Sequence, residues 1–249
     1  TSRNHRAGHG AAMSEYLAPF EAMLDTLFPP GRIRAIDAGA DWSDERAEVE
    51  KSGFLDALAP DGGLTIGDVV TLWRALGYRA APLAIGETMI DRSEQDADLA
   101  KPLLLAAAIS GAADRVLSMT VDHANQRVQF GKPIGRQQAV QQQLAVMAEY
   151  VVAVRMSLDL ASSGDWPTAE KAALAKVVAA IYAPQIANAA HAVHGAIGIS
   201  ADYDLQLYTR RLHTWRLEGG GETAWTRKLG GSILSGSDSS LDWMRRLLF

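Results

Sequence analysis

The chain has no cysteine among its 249 residues. That absence excludes a disulfide scaffold, thiolate metal sites, iron–sulfur clusters and a cysteine nucleophile. Positive charge is also in short supply. Lys and Arg number 24 against 29 Asp and Glu, for a formal net charge of -5 and a pI near 5.7. Bulk binding to nucleic-acid phosphates is therefore not expected. No uninterrupted apolar run approaches the roughly 18 residues of a membrane span. Nor does a basic start lead into an apolar core, as a signal peptide would require. These absences give the expectation of a soluble, cytoplasmic protein with neither nucleic acid nor membrane as partner. What is present is 48% hydrophobic and 21% charged residues. That balance describes a globular chain long enough for one large domain or two small ones.

Helical periodicity runs through nearly all of the chain. Residues 1–12 (TSRNHRAGHGAA) are polar and aperiodic, and read either as a flexible arm or non-native remnant, with Met13 as the native start, or as a genuine ordered extension. A helix over 14–28 is stopped by Pro29, Pro30 and Gly31. Another over 43–58 has Ser43 as N-cap and Asp44 and Glu45 in its first turn. After the turn Pro60-Asp61-Gly62-Gly63, Thr65 caps a helix that reaches Tyr78 and buries Ile66, Val69, Val70, Leu72 and Trp73. Pro82 opens a short helix ending near Ile90.

The helices then lengthen: 99–126 with Pro102 in its first turn, 136–161, one from Asp165 or Thr168 to Gly195, 205–215 and 222–234. No stretch sustains alternation of period two, and no internal repeat is evident. The expectation is an all-α chain. It comprises an N-terminal helical domain (13–90), a charged linker (91–98) and a C-terminal bundle of long helices (99–249).

The most distinctive stretch joins two long helices and reads RVQFGKPIGRQQ from Arg127 to Gln138. Gly131, Pro133 and Gly135 enforce a tight connector. An arginine fixed beside a helix start can meet a phosphate, since guanidinium grips two oxygens and free N–H groups add positive potential. The same residues also fit an interhelical corner, with Phe130 in the core and Arg127 in a salt bridge. His191 and His194, three apart on one helix, could ligate a metal or simply pack. With no Glu-x-x-His companion and few carboxylates in the long helices, the expectation is no metal.

The stretch RVQFGKPIGRQQAVQQQLAVMAEYVVAVR resembles the segment joining the first two long helices of the acyl-CoA dehydrogenase C-terminal domain. Arg127, Phe130, Gly131, Ile134, Gln138, Leu144, Ala145, Met147 and Arg155 fit that pattern. The likeness continues through HAVHGAIGIS and DLQLYTRRLHTW to Arg227, and more loosely through 50–90. The resemblance implies an FAD-dependent acyl-CoA dehydrogenase architecture in which the bundle of one subunit closes the flavin site of another. Arg127 would contact the FAD pyrophosphate across that interface, with Phe130 and Gln138 beside the dinucleotide. His191, Gly195 and Gly198 correspond to the family's Gln-x-x-Gly-Gly-x-Gly stretch. His191 stands in place of its Gln and His194 in place of its first Gly.

The departures from the family are as informative. Its catalytic glutamate aligns with Gly220, Glu222 falls where a threonine belongs, and Glu218 lies two residues early. The alternative base position near the first long helix holds Lys101, with Asp98 just before it. The family's middle β domain is replaced by about ten residues after Ile90. The resemblance thus implies a degenerate subunit of a heteromeric, α2β2 acyl-CoA dehydrogenase. A full-length homologue would supply base, β domain and acyl-CoA pocket, and this chain would complete its FAD site. Substrates of such two-gene enzymes include bulky ring-bearing and steroid side-chain acyl-CoAs. Two alternatives are a helical scaffold that no longer touches flavin, and a self-sufficient homomeric dehydrogenase using Glu218 as base.

Overall fold

A computed structural model of the protein describes residues 4–60, 63–164 and 166–248. Its centre is set by an alanine- and leucine-rich stretch, LLLAAAISGAA, inside the 30-residue helix Ala97–Gln126. Alanine and leucine are strong helix formers, and a helix apolar all round must be enclosed all round. Every residue from Pro102 to Ala113 is accordingly buried.

Among the described residues eleven α-helices build the fold. They are α1 (Asn4–Leu27), α2 (Pro30–Asp37), α3 (Ser43–Lys51), α4 (Ile66–Tyr78), α5 (Ala84–Asp91) and α6 (Ala97–Gln126). Then come α7 (Gln138–Ala161), α8 (Ala169–His194), α9 (Leu205–Trp215), α10 (Glu222–Ser235) and α11 (Ser240–Leu248). The all-α expectation holds. The described strands are two-residue arms, β1 (Val128–Gln129) and β2 (Lys132–Pro133), paired antiparallel between α6 and α7.

Helices α4, α7, α8 and α9 surround α6. The α4–α6 crossing is closed down to backbone contact. A Cβ added at Gly111 would stand 1.9 Å from the Arg74 carbonyl oxygen, and one at Gly77 1.9 Å from that of Ala108. One core cluster extends from Phe20 through Trp73 and Leu104 to Trp215, so the N-terminal helices and the long bundle share an interior. Charged ties join them at the rim. Asp114 on α6 accepts from both Arg74 (3.0 Å) and Arg155, and Arg211 on α9 grips Asp37 through two 3.0 Å bonds. Only residues 92–96 separate α5 from α6, so no β domain is inserted there.

Capping follows the sequence at Thr65, which forms a reciprocal box with Asp68, and at Thr168. It departs elsewhere. Ser43 is the first residue of α3 rather than its cap, its N–H and O–H both donating to Asp41. Gly53, at φ +77°, ends that run, and a single 3-10 turn (Phe54–Asp56) takes the place of its expected second half. Helix α1 begins at Asn4, well before Ser14. Pro30 starts α2 instead of ending order, because a proline at the first helical position gives up an N–H that would be unpaired anyway. Asp96 caps α6 two residues early, which puts Pro102 beyond the first turn. Helix α7 starts at Gln138 after a 3-10 turn (Ile134–Arg136), and α11 was not anticipated. Asp61, Gly62 and Asp165, parts of an expected turn and an expected helix start, lie outside the described residues.

By length and composition α6 and α8 are each apolar enough to cross a membrane, although no unbroken run suggested it. The apolar windows in question are 67% and 56% buried inside the bundle.

Candidate functional site

Arg127 ends α6 in an extended conformation (φ -72°, ψ 113°), which turns the chain out of the helix and into the hairpin. Its carbonyl accepts the Ile134 N–H at 2.8 Å, closing the base of that hairpin. The register pairs Val128 with Pro133 and Gln129 with Lys132, leaving Phe130 and Gly131 as a two-residue turn. Both turn residues have positive φ, +52° and +75°. That is what a tight hairpin with right-handed strand twist demands, and it is unfavourable for a bulky side chain. Phe130 is nevertheless 91% exposed. The Arg127 side chain is exposed too, with no hydrogen bond or ion pair among the described residues. The interhelical-corner reading therefore fails on both counts: Phe130 is outside the core and Arg127 outside any salt bridge.

A small apolar cluster of Ala124, Ile134 and Val193, backed by Val140 and Leu144, fixes the connector to α6, α7 and α8. Gln138 follows as the exposed first residue of α7. The end of α8 arrives at the same place. His191 Nε2 pairs with Thr209 Oγ1 at 3.0 Å, and His194 Nδ1 with the Ala190 carbonyl at 2.9 Å. His191 Nδ1 and His194 Nε2 are buried without partners. Gly195 then adopts φ +64°, ψ -143°, a region open to glycine, and a Cβ there would meet nothing within 4 Å. Beyond it Ile197 and Ile199 are exposed. Arg127, Phe130, Gln138, His191 and Gly195 are thus all carried on one end of the bundle, with Val128, Phe130, Ile197 and Ile199 as an apolar surface.

Two groups at this end were missed in the sequence. His123 stacks on His194 with ring centroids 4.4 Å apart, and Tyr203 closes on both rings at 6.5 and 5.4 Å. Burial pushes His123, His191 and His194 below the ordinary imidazole range. The Arg127 charge adds to this at His123, and His213 at His191. The placement of His123 four residues before Arg127 was the available signal.

Glu218 and Gly220 lie elsewhere, in the loop between α9 and α10. Lys176, with no exposed surface, donates from α8 to the carbonyls of Trp215 (2.7 Å) and Arg216 (3.4 Å). It thereby satisfies the end of α9. Burial pulls its pKa down to about 8, opposed by the charge of Glu218. Gly219 and Gly220 both have positive φ, and Trp225 Nε1 donates to the Gly219 carbonyl at 3.0 Å. A Cβ on Gly220 would stand 3.0 Å from that indole nitrogen. Asp98 and Trp225 line a slot of about 130 Å³ beside this loop, and Lys101 meets Glu87 at 3.5 Å. Lys176 precedes Gly195 on α8 by 19 positions, about 28 Å of helix. The structure does not bring Glu218 or Gly220 to the Arg127 end.

This chain belongs to the acyl-CoA dehydrogenase family: the profile of the acyl-CoA dehydrogenase C-terminal domain matches residues 101–230. Acyl-CoA dehydrogenase IpdE2 of Mycolicibacterium smegmatis is 35% identical over 135 residues, covering 54% of this chain and 43% of that protein. The matched stretch thus spans less than half the length of this curated relative. A chain of the ChsE4–ChsE5 complex from Mycobacterium tuberculosis superposes with a TM-score of 0.80 at 17% identity, covering 91% of this chain and 98% of its own. A chain of a Tcur3481–Tcur3483 steroid ACAD variant gives 0.76 at 19% identity, covering 91% and 100%. At these identities the two structural likenesses are of fold. They extend the match from the C-terminal domain over nearly the whole chain.

Proposed function

We propose that this chain is a subunit of a heteromeric, FAD-dependent acyl-CoA dehydrogenase. In this reading it completes the flavin site of a full-length catalytic partner and does not catalyse alone. The observation that carries it is the pairing of an unpartnered Arg127 with a 91% exposed Phe130 on a strained hairpin. Left in water, neither residue gains anything from its position. Each gains from a partner that brings an anion and a flat apolar surface.

The residues fit half of a dinucleotide site. Arg127 offers two parallel N–H donors to a phosphate, and Phe130 an aromatic face. Gly195 offers backbone that a ligand can approach without meeting a Cβ. Gln138 and His191 stand beside these groups, where they would border the same ligand. A complete site would need a second wall, which this chain does not build between α5 and α6. FAD supplies the hydride acceptor for α,β-dehydrogenation of an acyl-CoA thioester. Its ring, the acyl-CoA and the catalytic base would be held by the partner. The fold likeness to chains of ChsE4–ChsE5 and of a steroid ACAD supports a two-component assembly acting on a steroid-type acyl-CoA, and the proposed form is an α2β2 heterotetramer acting on a bulky or steroid side-chain thioester.

A self-sufficient enzyme using Glu218 is disfavoured by the separation of the α9–α10 loop from Arg127 and by the missing wall. A flavin-free scaffold leaves the strain at Phe130 without a purpose. Co-expression with a full-length acyl-CoA dehydrogenase homologue from the same organism tests the three readings. The heteromeric one expects a stable complex that is yellow, from a chain that is colourless alone. Flavin retained by the isolated chain supports self-sufficiency, and a colourless complex supports the scaffold.

A further inference from the structure

A stack of two histidine rings lies beneath Arg127, outside the proposed flavin contacts. His123 occupies the last turn of α6, and its carbonyl accepts the Arg127 N–H at 2.8 Å. Its half-buried ring lies flat on that of His194, 4.4 Å away with 24° between planes. His194 is only 6% exposed. By donating Nδ1–H to Ala190 it leaves the Nε2 lone pair with no donor in reach. Two rings at this separation cannot both be cations without strong repulsion, and the more buried one is the harder to charge. The outer ring, His123, is therefore the one that can take up a proton.

Its surroundings are defined. From α8 it faces His194, with His191 one turn behind, and His213 on α9 acts on His191. From the turn before α9 it faces Tyr203, which also feels Asp122, Asp204 and Arg115. On its own helix the acting charge is Arg127, which pairs with no anion among the described residues.

We propose that His123 is a proton-carrying second cation of the Arg127 anion site, so that a phosphoanhydride bound at Arg127 draws one solvent proton onto His123. The inference rests on Arg127 being the anion-binding group of the flavin half-site. Burial and the Arg127 charge together hold the empty site's His123 below the ordinary imidazole range. An anion on Arg127 cancels the second of these causes. By linkage, proton and anion then each strengthen the binding of the other. His194 stays neutral beneath and holds the outer ring flat.

The test follows the His123 ring by NMR in the purified chain, titrated with inorganic pyrophosphate at several pH values. The His123 pKa is expected to rise on addition, and pyrophosphate affinity, taken relative to His123→Phe, to grow about three- to tenfold between about pH 8 and pH 6. His123→Phe, which keeps a ring on His194, should bind pyrophosphate with only the pH dependence of the ligand's own protonation. Arg127→Ala should raise the His123 pKa without ligand and abolish binding. A His123 signal indifferent to tens of millimolar pyrophosphate overturns the proposal, as does an unchanged pH slope in His123→Phe. A flavin-loaded complex with an indifferent His123 removes this proposal alone. A responsive His123 with a flavin-free complex keeps the anion site and removes the flavin reading.

Discussion

The two ends of the long bundle are built on opposite plans. At the α9–α10 end three backbone carbonyls are held inward: Lys176 holds those of Trp215 and Arg216, Trp225 holds that of Gly219, and two glycines let the backbone lie close to its neighbours. At the hairpin end groups are turned outward. An aromatic side chain stands in solvent on a left-handed residue, beside an arginine with nothing to bind. The first arrangement is satisfied within this chain and reads as stability. The second is unsatisfied and reads as half of an interface. In the proposed assembly, the outward end is the one that would meet the partner's flavin.

The sharpest way to break this contrast is to remove the inward clamp. Lys176→Ala leaves a cavity and deprives two carbonyls of their donor. It should cost about 3–4 kcal/mol in chemical denaturation, a large share of a typical domain's stability. If the loss is below about 1 kcal/mol, the α9–α10 end is not the self-satisfied one. The same lysine gives a pH signature. Its folded pKa is about 8 against the ordinary lysine value of 10.5. Between those values the unfolded chain binds more protons, so this contribution to stability rises with pH, by about 3 kcal/mol in all. The difference between wild type and Lys176→Met, measured across about pH 7 to pH 10, should show that rise. A flat difference contradicts the burial of the charge.

Smaller effects sharpen the picture. Gly220→Ala adds a Cβ against the Trp225 indole at a positive φ, and about 1–2 kcal/mol of destabilisation is expected in thermal denaturation. No loss there would mean that the loop is slack. At the other end Phe130→Gly relaxes the strained turn. The isolated chain should lose nothing and gain up to about 1 kcal/mol, while assembly with the partner weakens. If Phe130→Gly destabilises the isolated chain instead, the side chain is packed and the outward reading of this end fails.

Much of this was legible in the sequence. Long alanine- and leucine-rich stretches have one low-energy form, so α6 to α9 emerged from periodicity within a few residues. The Arg127 motif gave the connector and the family. Short elements did not emerge as well, because proline reads as a breaker when it is in fact the first residue of α2, and α11 is a single amphipathic segment after a Gly/Ser stretch. Lys176 looks solvent-facing in sequence, since nothing local reports that α9 ends against it. The stack of His123 on His194 joins two helices far apart in the chain and carries no local pattern. The outward pose of Phe130 was invisible for a similar reason. In a sequence, a phenylalanine beside glycine fits a core corner as well as a hairpin tip.

The most direct test of the central claim is the flavin content of the complex between this chain and a full-length homologue, compared for wild type and Arg127→Ala. The Arg127 side chain makes no hydrogen bond or ion pair among the described residues, so the variant should fold and assemble with stability changed by less than about 0.5 kcal/mol. Its FAD affinity should fall by about 2–3 kcal/mol, roughly 30- to 150-fold, seen as loss of the flavin absorbance on dilution. An Arg127→Ala complex that keeps its flavin at the wild-type affinity would contradict the account.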